Sequence, residues 1–376
     1  MPATPLRIDD ALLERVATGA SGAEQRGELG PETVAALDEA GVFAALVPAE
    51  LGGGEVSPLE FRAAIERIAA ADGAAGWCAA IGATAGLAAA YLPHEEARQL
   101  FGSGERPPIA AGVFAPRGRL TAAGEGAFEL SGRWPLGSGV GNSSVVGLGA
   151  IDPERGPVYA LLPREEVEIV ETWDSLGLRA TASHDVAVDV VSVPSGHVVD
   201  LIGGTAVAGG ALYAFPLFGL LAVAVSAVCT GIARGALAEL VAAAAQRKPA
   251  GSSRALGERE TTQQAVATAI AALRAAKSGI EAAIERAWLV AESGERLGLD
   301  ERAALRMAST HAAQTAVAVV DSAHRLGGAG ALYRGNGLER RLRDVHTAAQ
   351  HMVVAPATME LAGRVVLGLE VNAAQL

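Results

Sequence analysis

Side chains that could take part in chemistry are concentrated in four short segments of the sequence. These are residues 71–78, 132–139, 172–185 and 338–351. The last segment holds two of the seven histidines, His346 and His351. Five residues correspond to about 140° around a helix, so both histidines can point into one site only if the helix is irregular. We therefore expect one of them to belong to a site and His346 to be structural or ion-paired.

Several standard sites have no counterpart in the sequence. No G-x-G-x-x-G follows a strand and no G-x-x-x-x-G-K-[ST] occurs, so neither a dinucleotide fingerprint nor a P-loop is expected. Ser138 lies in Leu-Gly-Ser-Gly-Val, which is not the G-x-S-x-G elbow of a serine hydrolase. The histidines show no H-E-x-x-H or other metal-binding spacing, and we expect no metal.

The elements that must position these segments change type along the chain. Over residues 1–108 apolar residues recur at helical spacing, as Phe61, Ile65 and Ile68 do after the helix-start signal Ser57-Pro58. From residue 109 to 200 the period becomes two. Residues 185–193 alternate, and glycine and proline interrupt the sequence at short intervals. This pattern is typical of a small antiparallel sheet or barrel.

Helical spacing returns from residue 201 to 376. A stripe of apolar and small residues runs from Val266 to Ala287 at alternating spacings of four and three, as in an antiparallel helix bundle. The patterns predict a mainly α fold with a central β-domain. We expect an N-terminal helical domain over residues 1–108, a middle antiparallel β-barrel or sandwich over 109–200, and a C-terminal four-helix bundle over 201–376.

The composition limits the partners and the compartment. The 376 residues carry 30 Lys+Arg against 42 Asp+Glu, a formal net charge of −12, and phosphate binding needs a basic face. Nucleic acid is therefore not an expected partner. Cys78 and Cys229 are too few for a disulfide framework, which fits a reducing, cytoplasmic location. The N-terminus lacks a basic start followed by an apolar run, so no signal peptide is expected.

One apolar segment leaves a membrane alternative open. Residues 201–233 carry no charge and are long enough to span a bilayer. Several glycines and Pro216 interrupt the segment, and no Lys/Arg cluster flanks it. Because the central helix of a soluble bundle can be equally apolar, we expect a soluble protein without a membrane partner.

The four segments, in this order, resemble the acyl-CoA dehydrogenase fold family over nearly the whole chain. The resemblance is carried by Gly177-Leu-Arg-Ala-Thr-Ala-Ser183, by Val193-Pro194 after it, and by Arg343-Asp344 on a late helix. That family has the same order of helical domain, β-domain and helical bundle. The resemblance therefore implies an acyl-CoA dehydrogenase-like fold and a homotetramer.

Two sequence features indicate which branch of the family the chain resembles. Dehydrogenases usually carry Thr-Glu-Pro…Gly-Ser-Asp at the entrance to the β-domain, where residues 113–118 read Val-Phe-Ala-Pro-Arg-Gly. The segment 132–139, Gly-Arg-Trp-Pro-Leu-Gly-Ser-Gly, is instead similar to the group D, reduced-flavin-dependent monooxygenases.

The carboxylate base of a dehydrogenase is missing from both of its expected positions. Eight residues after Asp344 the sequence has Met352, with His351 beside it. The other family position falls on the first bundle helix, which is uncharged through Ala233. An acyl-CoA dehydrogenase, or another CoA-thioester flavoenzyme, would therefore need a displaced base. It stays an alternative, as does a non-catalytic member that keeps the fold for binding.

The resemblance implies the oxygenase component of a two-component flavin monooxygenase. Such an enzyme takes reduced flavin, FMNH2 or FADH2, from a separate flavin reductase. A C4a-hydroperoxyflavin then hydroxylates, or N- or S-oxygenates, a small organic substrate. Ser138 would place its hydroxyl near flavin N5. His351, with an ordinary pKa near about 6.5, would take a proton from the substrate. Trp77 would line the substrate pocket or belong to the core.

Further flavin contacts follow from the same resemblance. Arg179, Thr181 and Ser183 match the β-domain segment that contacts flavin. Gly327 and Gly328 resemble a turn at which the backbone approaches the phosphate or adenosine end of the cofactor, often from a neighbouring subunit.

The aromatic content of 4% favours an aliphatic, alicyclic or acyl-carrier-linked substrate.

Overall fold

The computed structural model describes residues 4–102, 104–124, 126–248 and 252–376. The first part of the chain is helical. Its helices are α1 (Asp10–Arg26), α2 (Pro31–Glu39), α3 (Pro58–Ala71), α4 (Gly73–Gly86) and α5 (His94–Phe101). Ser57 and Glu60 form a reciprocal capping box ahead of α3, and the Asp72 carboxylate accepts a hydrogen bond from Ala75 N at the start of α4. Helices α3 and α4 therefore begin where short polar side chains satisfy free N–H groups.

The middle of the chain forms a sheet. Its strands are β1 (Ala110–Ala122), β2 (Ala127–Gly137), β3 (Val145–Asp152), β4 (Gly156–Pro163), β5 (Glu168–Val170), β6 (His184–Pro194) and β7 (Val198–Val199). The order across the sheet is β5-β6-β2-β1-β3-β4-β7. The expectation of an antiparallel sheet is wrong at one pair, because β1 and β3 run parallel with Ala110 opposite Val145. The sheet is therefore mixed.

The last part of the chain is again helical. Its helices are α6 (Ala211–Ala214), α7 (Leu217–Ala244), α8 (Glu260–Glu292), α9 (Leu299–Gly327), α10 (Gly337–Ala348) and α11 (Pro356–Val366). In α8 the predicted stripe is buried at Leu273, Ile280 and Ile284. A mainly α fold with a central sheet is thereby confirmed, whereas the domain limits at 108/109 and 200/201 stay a prediction.

Two apolar cores hold these parts together. One core lies against the sheet and contains Trp134, Leu130 and Leu148. The other combines both helical parts, with Ile65 and Ile68 of α3 in the same cluster as Val225 and Val228 of α7. The N-terminal and C-terminal helices therefore stabilise each other, and α7 lies at their centre.

Two helical segments pass a test of length and apolar character for a membrane span. The most apolar window within residues 73–91 is fully buried inside the protein, and 89% of the corresponding window of α7 is buried. A span would expose these surfaces to lipid, whereas here they pack against protein. The second half of the apolar segment that raised the membrane alternative thus belongs to α7, the central helix of the fold.

Candidate active site

Three hydroxyl groups meet where the sheet faces the helices. Ser138 follows β2, and Thr181 and Ser183 lie in the loop before β6. The β2–β6 register places Gly137 opposite His184, which brings the residues beside them together. Ser138 Oγ lies 2.7 Å from Ser183 Oγ, and Ser183 Oγ lies 2.6 Å from Thr181 Oγ1. All three side chains are buried.

The row of three hydroxyl groups has a hydrogen bond at each end, and these two bonds fix which hydroxyl donates to which. Thr181 Oγ1 donates to Leu178 O at 2.8 Å, so its only hydrogen is used there. Ser183 must then donate to Thr181, and Ser138 must donate to Ser183. At the other end Trp77 Nε1 donates to Ser138 Oγ at 3.0 Å. The bonds therefore run from the Trp77 indole through the three hydroxyls to a backbone carbonyl. We call Ser138, Ser183 and Thr181 the hydroxyl chain.

The backbone around the hydroxyl chain is strained. Leu136, Leu178 and Ala182 have φ values of 67°, 51° and 44°, in the left-handed region that non-glycine residues rarely adopt. Each lies within three residues of a member of the hydroxyl chain. Residues held in this region cost about 1–3 kcal/mol each and persist only where the surroundings impose them, which is typical of functional sites.

The imidazole of His351 lies beside the Trp77 indole. The two rings meet edge to face with centroids 5.6 Å apart. Helix α10 ends at Ala348, and His351 caps the short 3-10 turn after it, its Nδ1 accepting a 3.4 Å hydrogen bond from Val353 N. In the neutral ring Nε2 therefore carries the hydrogen.

The pKa expected for His351 is wrong. Burial, together with the positive charge of Arg306, lowers the pKa of His351 to about 4. The sequence pattern could not reveal this, because both causes are tertiary. His351 is consequently neutral throughout the physiological pH range.

A buried carboxylate lies at the far end of the hydroxyl chain. An adjacent arginine and aspartate on a helix favour ion pairs on the helix or at an interface, and Arg343 forms such pairs with Glu24 and Glu339. Asp344 instead accepts a 2.6 Å hydrogen bond from Leu178 N. The only sequence signal for this role is a carboxylate on the buried face of an amphipathic helix.

The other predicted flavin residues lie apart from the hydroxyl chain. Arg179 is partly exposed and bonds Asp174 and the carbonyl of Ser175. Gly327 ends α9, and Gly328 follows with φ 53°. A Cβ atom built on Gly328 would lie 3.3 Å from Arg247 Nη2, so this turn and the Arg247 guanidinium form a second group.

The remaining histidine and metal expectations can be placed as well. His346 Nε2 lies 2.9 Å from Asp321 Oδ1 in a half-exposed pair, away from the hydroxyl chain. Within the described ranges, no group of three histidine, cysteine or carboxylate side chains could hold a metal ion.

The position that would carry a dehydrogenase base offers no proton acceptor. Met352 is 65% exposed and has no titratable group. Helix α7 is uncharged from Leu217 through Ala233, and almost all of that stretch is buried. The carboxylate of Asp344, eight residues before Met352 in the sequence, is already bonded to Leu178 N. No residue at the two family positions can therefore remove the α-proton of a thioester.

Family models match both helical parts of the chain. Residues 7–100 match the acyl-CoA dehydrogenase N-terminal domain, and residues 223–356 match the acyl-CoA dehydrogenase C-terminal domain. The chain belongs to the acyl-CoA dehydrogenase family. Like the fold, this family membership confirms what the four segments predict.

Within the acyl-CoA dehydrogenase family, the chain is similar to monooxygenases. It is 36% identical to an indole-3-acetate monooxygenase of Pseudomonas putida, over 96% of this chain and 93% of that protein. It is 26% identical to the flavin-dependent monooxygenase oxygenase subunit HsaA of Rhodococcus jostii, over 92% and 94%. The crystal structure of 3-HSA hydroxylase from Rhodococcus sp. RHA1 matches with a TM-score of 0.91 and 26% identity, over 98% and 97%.

These relatives confirm the prediction of a flavin-dependent monooxygenase. This acyl-CoA dehydrogenase family member is an oxidoreductase that works as the oxygenase component of a two-component system. Its requirements are reduced flavin, a small-molecule substrate and a separate reductase. The fold is shared with soluble enzymes. The relatives support neither the alternative of an acyl-CoA dehydrogenase nor that of a non-catalytic binding protein.

Proposed function

We propose that this enzyme hydroxylates a small aromatic molecule, with reduced flavin bound against the hydroxyl chain and substrate between the flavin and His351. The single observation that carries this proposal is the directed run of hydrogen bonds from Trp77 through Ser138 to Leu178 O. When bound, reduced flavin supplies the electrons that activate O2 for transfer of one oxygen atom.

The donor and acceptor state of Ser138 fits the reduced cofactor. Its hydroxyl accepts from Trp77 and donates to Ser183, which leaves one lone pair for a further hydrogen bond. Only a group that donates hydrogen can use that lone pair. Reduced flavin carries an N–H at N5 of its central ring, where oxidised flavin has a bare nitrogen acceptor. Ser138 therefore favours reduced over oxidised flavin unless the whole chain of hydrogen bonds reverses.

His351 and Trp77 supply the substrate side of the proposed site. The neutral imidazole presents Nε2, and the long 3.4 Å bond at Nδ1 is weak enough for the ring to exchange tautomers. His351 can then hold or accept a substrate proton at Nε2. The Trp77 ring, edge-on to the imidazole, provides an apolar wall that helps to exclude water.

The substrate is proposed to be aromatic in spite of the low aromatic content of the chain. One relative is named for indole-3-acetate and another for resorcinol, both aromatic compounds. A planar substrate suits a wall made of an indole and an imidazole. This proposal replaces the aliphatic, alicyclic or acyl-carrier-linked substrate that the composition favours.

The second group, Gly327 and Gly328 with Arg247, is proposed to bind the phosphate end of the flavin. Glycine permits close approach of the backbone, and the Arg247 guanidinium supplies positive charge beside Gly328 and Gly330. We propose a cytoplasmic homotetramer in which this group serves a cofactor shared with a neighbouring copy.

Exposed apolar side chains on the C-terminal part support the assembly. Tyr333, Met352, Val366 and Leu367 are between 65% and 74% exposed. Val366 and Leu367 are also adjacent in the sequence, and clustered exposed apolar residues are typical of surfaces covered by another chain. The molar mass in solution, measured by light scattering, tests the tetramer.

Anaerobic binding followed by mixing with O2 tests the proposed function. The enzyme is titrated with photoreduced and with oxidised FMN and FAD, and then mixed with O2 and indole-3-acetate or a small panel of phenols. We expect tighter binding of reduced flavin and more hydroxylated product than hydrogen peroxide. In Ser138→Ala the preference for reduced flavin falls, and the balance shifts towards peroxide by about tenfold or more.

Ser143→Ala is the matched control. Ser143 is also a buried serine of this region, but its hydroxyl donates to Val140 O and does not take part in the hydroxyl chain. It should keep the wild-type preference and product yield. Equal affinity for both redox states, or an unchanged product yield in Ser138→Ala, would overturn the proposed role of the hydroxyl chain.

A further inference from the structure

Leu178 is the strained residue on which the hydroxyl chain ends. Its φ of 51° lies in the left-handed region, and its side chain is buried, so neither glycine-like freedom nor solvent relieves it. Both of its backbone groups are bonded. Its carbonyl accepts from Thr181 Oγ1 at 2.8 Å and from Trp173 Nε1 at 3.2 Å. Its N–H donates to Asp344 Oδ1 at 2.6 Å, across 166 residues of sequence.

The helix that carries Asp344 is pressed against the same loop. A Cβ atom added to Gly177 would lie 2.2 Å from Arg343 O and 2.6 Å from Asp344 N, so the loop backbone touches α10 directly. On the other side, a Cβ atom added to Gly73 would lie 3.2 Å from Asp344 Oδ2. The carboxylate is therefore enclosed between the loop and the start of α4.

Charged side chains at the start of α4 and on α10 lie around the Asp344 carboxylate. Burial raises the pKa of Asp344, and repulsion from Asp72 at the start of α4 raises it further, whereas Arg340 and Arg343 on α10 lower it. Asp72 in turn faces Arg340, Arg341 and Glu24 of α1. A buried carboxylate is costly unless it is paired or hydrogen-bonded, and the bond from Leu178 N gives Asp344 a hydrogen-bond partner.

We propose that Asp344 is a positioning residue that holds the strained Leu178 backbone, and through it the hydroxyl chain, in the geometry that binds reduced flavin. This inference rests on the proposed function for its last step only. Without the carboxylate, Leu178 N–H would be buried without an acceptor, and the loop would relax towards ordinary φ values. Thr181 and Ser183 would move with it, and Ser138 would lose its partner.

The conservative variant separates positioning from charge. Asp344→Asn keeps an oxygen that can accept from Leu178 N, whereas Asp344→Ala removes it, and Asp344→Ser carries a hydroxyl too short to reach. The control is Asp321→Ala, which removes a half-exposed carboxylate that also contacts α10, through His346. Two readouts are measured on the full-length protein. They are hydrogen–deuterium exchange of peptides covering residues 177–184 without flavin, and the Kd for photoreduced FMN.

We expect faster exchange over residues 177–184 and a Kd raised by about tenfold in Asp344→Ala and Asp344→Ser. Asp344→Asn and Asp321→Ala should stay within about threefold of wild type in both readouts. Unchanged exchange in Asp344→Ala, or an asparagine variant as impaired as the alanine variant, would overturn the proposal. Faster exchange with unchanged Kd would overturn its link to flavin. If wild type bound no reduced flavin, the proposed function would fail, and the exchange data alone would decide the anchoring role.

Discussion

Two regions of the molecule are tightly packed by opposite means. One is the contact between α3 and α7, and the other is the loop wall, which we define as residues 136–138 and 177–183 around the hydroxyl chain with Asp344, which holds them. Between the helices, relaxed backbones approach through small residues such as Gly231 and Ala69. At the loop wall, strained leucine and alanine residues are held in place by a few buried polar bonds. Stability resides in the first region and chemistry in the second, so substitutions in the two should affect different measurements.

The largest effect is expected on the chemical side of this comparison, in His351→Ala, beside the Trp77 end of the hydroxyl chain. If Nε2 handles the substrate proton, product formation should fall by roughly 10²–10⁴-fold, the usual contribution of general acid–base catalysis. Reduced flavin should still bind and be oxidised, with hydrogen peroxide as the product. Product and peroxide are measured together under single-turnover conditions. His346→Ala, which removes the half-exposed partner of Asp321, is the control.

An unchanged product yield in His351→Ala would remove His351 from the mechanism.

The low pKa of His351, about 4, allows a second test, the pH dependence of the product yield. Because His351 is neutral from about pH 5.5 upward, the wild-type product yield should show no histidine titration between pH 5.5 and 8. A step near pH 6.5 would show that bound flavin or substrate restores the ordinary pKa.

A smaller effect, on stability alone, is expected between the helices. A Cβ atom on Gly231 of α7 would lie 2.5 Å from Glu66 O and 2.7 Å from Ala69 Cβ. Gly231→Ala should therefore lower the free energy of unfolding by about 1–3 kcal/mol, as overpacking of a core does. The Kd for reduced flavin should not change. Urea unfolding at fixed protein concentration and a flavin titration are the two measurements.

Gly279→Ala in α8 provides the matched control. Gly279 is exposed, and no atom from the described part of the chain lies within 4 Å of a Cβ built there. Alanine should stabilise the helix by up to about 1 kcal/mol. If Gly231→Ala raised the Kd for reduced flavin as well as lowering the free energy of unfolding, the two regions would not be separable.

The same contrast explains how much could be predicted from the sequence. The α8 stripe and the alternation of β6 are local patterns, and both elements form where the periodicity indicates. The four motif segments do bring Trp77, Ser138, Ser183 and His351 together. What joins these residues in the structure, however, are contacts between segments far apart in the chain.

Three features could not be predicted for that reason. The parallel pairing of β1 with β3 depends on register across the sheet, which a period of two does not encode. The low pKa of His351 depends on burial by distant elements. The bond from Leu178 N to Asp344 joins residues 166 positions apart, and an Arg-Asp pair on a helix suggests an ion pair first.

The smallest effect is a pH dependence of stability that originates in the loop wall. Burial, with repulsion from Asp72, raises the pKa of Asp344 to about 7. A carboxylate with a raised pKa binds more protons in the folded state than in the unfolded state between its two pKa values. Its contribution to stability is therefore present at low pH and is lost as pH rises from about 4 through about 7.

Asp344→Asn isolates this contribution, because the amide resembles the protonated acid and does not titrate. The unfolding free energy of wild type relative to Asp344→Asn should fall as pH rises from 5 to 8, measured by urea unfolding at fixed protein concentration. The depressed pKa of His351 favours folding as pH rises, but it acts in both proteins and cancels in the difference. Parallel stability curves would mean that Asp344 is ionised at all these pH values, and the loop wall would then be held by a full charge.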